Sequence, residues 1–326
     1  MYLDDIMKKN DGSVKSGLKV LAFGHTGCGK TIFSLSFPDI MAIDTEDGMS
    51  WYRKNPNLKY FGVTSSSKDV GDVLDDLDTE LDGEYKGKIK TFVVDSETKI
   101  YDNLQLSGLN VAERRARTKG QHADDANLSQ REWGKIKLVN KKLQSSKIML
   151  ASQGINIVST AHEKLVKEEV KEGKWVVVDR IPETVKDLDY DYDIVVRMYT
   201  EEDPKTNETL YKGLILKDRT KVCNRGQIVD NPSFEIWREV YEKSQEQKTD
   251  IRNYKDDVVK DEKKMQSELE TVETLISIFK KEMKNVKTTA KQKKVQQKMK
   301  DLGIDNPLKT DDAEALEELI EFVKVV

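Results

Sequence analysis

Cysteine is nearly missing from this chain of 326 residues: only Cys28 and Cys223 occur, and no metal-type spacing links them. A disulfide framework or a cysteine-held metal is therefore not expected. No signal peptide precedes the first predicted strand, so the expectation is an intracellular, disulfide-free protein. Long hydrophobic runs are absent too. Nothing approaches the roughly 18 apolar residues of a membrane span, so no membrane partner is expected. An excess of one charge sign is also lacking, with 55 basic against 59 acidic side chains and a net charge of −4. Overall charge thus gives no sign of nucleic-acid binding, and any such site must be a local patch.

What the sequence does contain is a series of short apolar runs separated by longer stretches. "LKVLAFG" (18–24), "IMAID" (40–44), "IKTFVVD" (89–95) and "INIVSTA" (155–161) are apolar almost throughout. That pattern suits strands buried on both faces, and the helix-length stretches between the first three imply βα units and a parallel sheet. "KLVKEEVKEGKWVVVDR" (164–180) reads as a hairpin about its glycine, while "YDIVVRMY" (192–199) and "LYKGLILKDRT" (210–220) extend the sheet. From about residue 241 glycine and proline nearly vanish. Residues 241–268 read as a charged linker or solvated helix, and "VETLISIFKKEMK" and "AEALEELIEFVKVV" carry apolar residues at helical spacing.

"GHTGCGKT" (24–31) matches G-x-x-x-x-G-K-[ST] and sits between a predicted strand and a predicted helix. The pattern predicts a nucleotide loop formed by Gly24, His25, Thr26, Gly27, Cys28, Gly29, Lys30, Thr31 and Ile32, with His25 and Cys28 filling variable positions. Backbone N–H groups would wrap the phosphates of ATP with help from the helix N-terminus, Lys30 would reach the β- and γ-phosphates, and Thr31 would ligate Mg2+. "TFVVDS" (91–96) is a strand ending in Asp95, which is expected to hold the magnesium shell beside Thr31.

"AIDTEDG" (42–48) places three acids after an apolar run. It resembles the segment of RecA-like ATPases in which the strand after the phosphate-loop helix leads to the catalytic glutamate, and the matching position is Glu46. In the ring-forming AAA+ branch the glutamate usually follows the magnesium aspartate directly, whereas Ser96 follows Asp95 here. Glu97 is the alternative base, and the bland alternative is that the three acids are solvated strand-end residues. By the same resemblance His162 in "STAHEK" matches the polar γ-phosphate sensor. Lys217 and Arg219 in "LKDRTK" match basic residues that reach a neighbour's nucleotide in an assembly, a ring or filament of like subunits.

Residues 111–147 carry ten basic and four acidic side chains, a local net charge of +6. "ERRARTKGQH" (113–122) lacks strong periodicity and suits a mobile phosphate-gripping loop; Arg114, Arg115, Arg117 and Lys119 are its candidate DNA contacts. The hairpin adds Lys164 and Lys167, with Trp175 able to stack on a base or simply to pack. Basic solvated helix remains the other reading of 131–147.

Together these features resemble the RecA-like ATPases of phage recombination modules, including phage single-strand annealing proteins with a RecA-like core. The resemblance implies an α/β RecA-like P-loop NTPase core with a mostly parallel central sheet, plus a small α-helical C-terminal module. The domains would be an N-terminal segment (1–16), the ATPase core (17–240), the charged linker (241–268) and the helical module (269–326). The implied activity is ATP hydrolysis dependent on DNA and assembly, in a single-stranded-DNA-binding protein promoting annealing or strand exchange in the cytoplasm of a bacterial host. The alternative is a nucleotide-switched adaptor that recruits a helicase, single-strand-binding or other replication protein through the C-terminal module.

Overall fold

A computed structural model describes residues 16–120, 122, 126–171, 173–246, 254–284, 286–310 and 312–325, with the backbone alone at 254–256 and 266–270. The stretch "MYLDDIM", a candidate segment for docking on a neighbouring subunit, lies outside the described residues. The chain divides into two compact units, residues 1–252 and 253–326.

Among the described residues the first unit is built on nine strands: β1 (Lys19–Gly24), β2 (Ile40–Asp44), β3 (Leu58–Val63), β4 (Thr91–Asp95), β5 (Asn156–Lys171), β6 (Lys174–Pro182), β7 (Ile194–Glu202), β8 (Thr209–Asp218) and β9 (Ile228–Asp230). Their order is β3-β2-β4-β5-β1-β7-β8-β9, with β6 paired to β5 off this path. Pairings from β3 through β7 are parallel, whereas β7–β8, β8–β9 and β5–β6 are antiparallel. This is a mostly parallel α/β sheet, as expected for a P-loop NTPase core, with the phosphate-loop strand one place removed from the Asp95 strand.

The apolar runs are continuous because both faces of the sheet are covered. Val20 and Ala22 of β1 join one core with Phe33, Phe37 and Trp237, while Leu21 and Phe23 join the other with Leu74, Ile100, Leu143 and Leu150. Helices α1 (Lys30–Ser34), α2 (Ser67–Glu80), α3 (Glu97–Thr118), α4 (Gln130–Ser152) and α5 (Arg238–Gln245) complete the unit. Ser129 and Glu132 form a reciprocal capping box that starts α4.

Three sequence expectations are corrected. The stretch between β2 and β4 contains a strand, β3, as well as a helix. As an outer strand β3 has no fully buried residue, so "LKYFGV" lacks the apolar run that marked its neighbours. The supposed mobile loop 113–122 is helical through Thr118, because α3 continues to its basic end. The fourth strand and the first half of the hairpin are one element: β5 is buried only over its first six residues, then leaves the core and continues to Lys171.

The second unit consists of α6 (Tyr254–Met283), α7 (Thr289–Asp301) and α8 (Ala313–Val325) around Phe279, Val295, Leu316, Leu319, Ile320 and Val323. The charged stretch after residue 253 is the first half of α6. Among the described residues no helix is long and apolar enough to cross a membrane.

Candidate nucleotide site

Strand register brings the sequence motifs to one rim. Gly24 lies opposite His162 on β5 and Met198 on β7, and Asp44 lies opposite Asp95. Above these strand ends opens a cavity of about 1040 Å³ lined by the loop Gly24–Ile32 apart from Cys28, and by Glu46, Asp95 and His162. That volume suits a nucleotide-sized ligand.

Glycine is required where the loop approaches its neighbours. A Cβ on Gly24 would lie 2.1 Å from the Met198 carbonyl oxygen, and Gly27 and Gly29 have φ of 73° and 89°. Lys30 Nζ donates to the carbonyls of Gly24 (3.0 Å) and His25 (2.9 Å). Cys28 is buried, and burial pushes its thiol pKa up, so it serves as packing under the loop. Because α1 has only five residues, its dipole is small, and the loop N–H groups supply most of the anion attraction expected here.

Asp95 is buried at the end of β4. Thr31 Oγ1 donates to its Oδ2 at 2.6 Å and Thr160 Oγ1 donates to its Oδ1. Burial pushes its pKa up, opposed by the two hydroxyl donors. Among the described residues no group of three or more His, Cys, Asp or Glu could hold a metal alone. One hydroxyl touching one buried carboxylate is instead the donor set that suits Mg2+ when phosphate oxygens and water complete the shell. The residues present fit a magnesium nucleotide.

The three acids after β2 take different positions. Asp44 is buried and closes the turn, accepting from the N–H of Glu46 (2.9 Å) and of Met49 (2.6 Å). Asp47 has a φ of 57° and accepts from the Ser50 hydroxyl. Glu46 lines the cavity, where Ser96 Oγ donates to its Oε1 at 2.6 Å and His162 Nε2 lies 2.7 Å from the same oxygen. The His162 hydrogen bond, helped by Ser96, lowers the Glu46 pKa to about 2 against the opposing effect of burial. Glu97, the alternative base, is buried in an ion pair with Lys147 and is not among the residues that line the cavity.

Lys217 and Arg219 lie toward the opposite end of β7 from the cavity. Lys217 Nζ donates to the carbonyls of Asp189 (2.9 Å) and Tyr190 (3.2 Å), and Arg219 pairs with Asp193 at 3.2 Å. Burial and the neighbouring Arg219 guanidinium push the Lys217 pKa down. Neither residue lines this chain's own cavity.

The basic residues are unequally available. Arg114, Arg117 and Lys119 are exposed at the end of α3. Arg115 is committed to Glu132, and Lys147 is buried. On the hairpin, Lys164 and Lys167 are accompanied by as many acids as bases over residues 163–180, so this ribbon has no net charge. Trp175 is 58% exposed there, beside the exposed Val176, Val177 and Val178.

Several site residues carried no usable sequence signal. Tyr211 on β8 and Asn231–Ser233 after β9 line the cavity only because the sheet folds back beside β1. Thr160 and Ser96 were legible in principle, as a polar residue within the fourth apolar run and the residue directly after Asp95.

A protein-family model described as AAA domain matches residues 16–234. No curated protein shows a significant match to the chain. The crystal structure of a KaiC-like protein from the hyperthermophilic archaeon Pyrococcus horikoshii OT3 aligns over 71% of this chain and 95% of its own, at 16% identity and a TM-score of 0.36. That likeness is too slight to carry an argument about the site.

Proposed function

Because the chain belongs to the AAA-domain family of P-loop ATPases, we propose that it is an ATP-dependent single-stranded-DNA-binding protein that promotes annealing or strand exchange in recombination of the phage type. The observation that carries the reading is the Glu46–His162 contact at the rim of the cavity. His162 belongs to β5, the strand that runs on from the nucleotide rim into the exposed hairpin, so nucleotide chemistry and a candidate DNA-contacting ribbon share one element.

In this reading Lys30 exchanges its loop carbonyls for phosphate oxygens, and the loop N–H groups bind the remaining phosphate charge. Thr31 and Asp95 would hold Mg2+, which when bound neutralises charge developing on the transferred phosphoryl group. Glu46 orients the attacking water, aimed by Ser96 and His162. A carboxylate with a pKa near 2 is a weak proton acceptor, so its part is orientation more than proton abstraction. Lys217 and Arg219 would act on a neighbouring subunit's nucleotide in a homo-oligomer, since they cannot reach this chain's own. Arg114, Arg117 and Lys119 would bind the DNA backbone.

Fluorescence anisotropy of labelled single-stranded DNA, with and without ATP, tests this. Lys30→Ala should remove the ATP-dependent gain in DNA affinity, and an undiminished gain in that variant would overturn the reading. The second reading, an adaptor that recruits a replication protein, draws on the separate core of residues 253–326. It expects that deleting this unit abolishes recruitment while leaving DNA binding intact.

A further inference from the structure

Beneath the cavity rim lies a buried polar network that neither binds the nucleotide loop nor lines the cavity. Lys147, in the C-terminal half of α4, is 1% exposed and forms an ion pair with Glu97, which is 3% exposed. Ser159 Oγ donates to Glu97 Oε1 at 2.5 Å, and the Tyr192 hydroxyl donates to Ser159 Oγ at 2.7 Å and to Glu97 at 3.3 Å. Burial and the nearby carboxylate push the Tyr192 pKa well up, which keeps the phenol a donor.

A buried ion pair is a poor device for stability alone, because an apolar pair of similar volume is often as stable or more so. The position of this one is informative. Glu97 stands two residues beyond Asp95, in the first turn of α3, and Ser159 precedes Thr160, the donor to Asp95. Thr98, next to Glu97, accepts the backbone N–H of His162 at 2.9 Å. Segment 95–98 is therefore joined to segment 159–162 at three successive points: Asp95 to Thr160, Glu97 to Ser159 and Thr98 to His162. On its other side Ser96 holds Glu46. Moving Glu97 would shift together the carboxylate proposed for Mg2+ and both groups that aim Glu46.

We propose that Lys147 and Glu97 are positioning residues for the nucleotide site: anchored on α4, the pair sets the distance between the β4 and β5 ends and so the geometry of Asp95, Ser96 and His162. The inference rests on the ATPase reading above and adds the residues that hold the site in register. Neither residue lines the cavity.

The test compares wild type, the double variant Glu97→Leu/Lys147→Met and Ser159→Ala. MgCl2 is titrated against binding of a fluorescent non-hydrolysable ATP analogue, with thermal unfolding measured in parallel. The double variant should unfold within a few degrees of wild type, yet need roughly 10-fold more Mg2+ for half-saturation, the order expected on losing residues that orient a metal ligand. Ser159→Ala should shift the Mg2+ requirement in the same direction by less. A folded double variant with the wild-type Mg2+ requirement would overturn the proposal. If the double variant does not fold, an unshifted Ser159→Ala overturns it. Wild type that fails to bind the analogue at any Mg2+ concentration would sink the nucleotide reading itself, a result distinct from either.

Discussion

Two donors meet on a single oxygen of Glu46, and that convergence separates it from Asp44 and Asp47. Asp44 spends both oxygens on the turn although it too borders the cavity, and Asp47 accepts from Ser50. The sequence could rank Glu46 only by resemblance and by the absence of glutamate at position 96; its partners Ser96 and His162 lie 50 and 116 residues away in the chain. The lowered pKa has a measurable consequence. In the unfolded chain Glu46 titrates near 4.5, in the folded one near 2, so its ionised form stabilises the fold fully above about 4.5. That contribution disappears as pH falls through the folded value. Between pH 6 and pH 3 the thermal midpoint of wild type should therefore drop further than that of Glu46→Gln, as read by circular dichroism. Equal drops would show that His162 and Ser96 do not hold the carboxylate.

Secondary-structure elements explain which parts of the fold were legible. β1, β2 and β4 are buried on both faces and so appear as uninterrupted apolar runs. β3 escaped notice because an outer strand needs no such run, and the helical end of α3 escaped because its arginines and polar residues face solvent without an apolar stripe. The two basic elements also differ in a way that residue counts in one segment concealed. Exposed Arg114 and Arg117 lie in a segment with a basic excess, where Arg117 pairs with Glu113, whereas Lys164 and Lys167 sit in a ribbon whose charges cancel. Arg114→Ala/Arg117→Ala should consequently weaken single-stranded-DNA binding more than Lys164→Ala/Lys167→Ala. The first pair should also flatten the salt dependence by about 0.7 per lost phosphate contact. Titrations at several salt concentrations check this, and the reverse order would move the DNA surface onto the hairpin.

For the molecule as a whole, net charge was uninformative because opposite excesses lie in different places: +6 over residues 111–147 against a total of −4. The nucleotide site was legible because its loop and Asp95 are local motifs, while Tyr211 and Pro232 reach the cavity only through the antiparallel return of β8 and β9. Residues 253–326 have their own core, so a chain ending at residue 252 should keep nucleotide binding, as equilibrium binding of labelled ATP would show. The central claim is that Glu46, in the turn after β2 and not directly after Asp95, orients the water for ATP hydrolysis. It is tested most directly by measuring ATP binding and single-turnover hydrolysis of wild type and Glu46→Gln side by side. ATP affinity should be unchanged and hydrolysis slower by on the order of 100-fold. Hydrolysis at the wild-type rate in the variant would contradict the account.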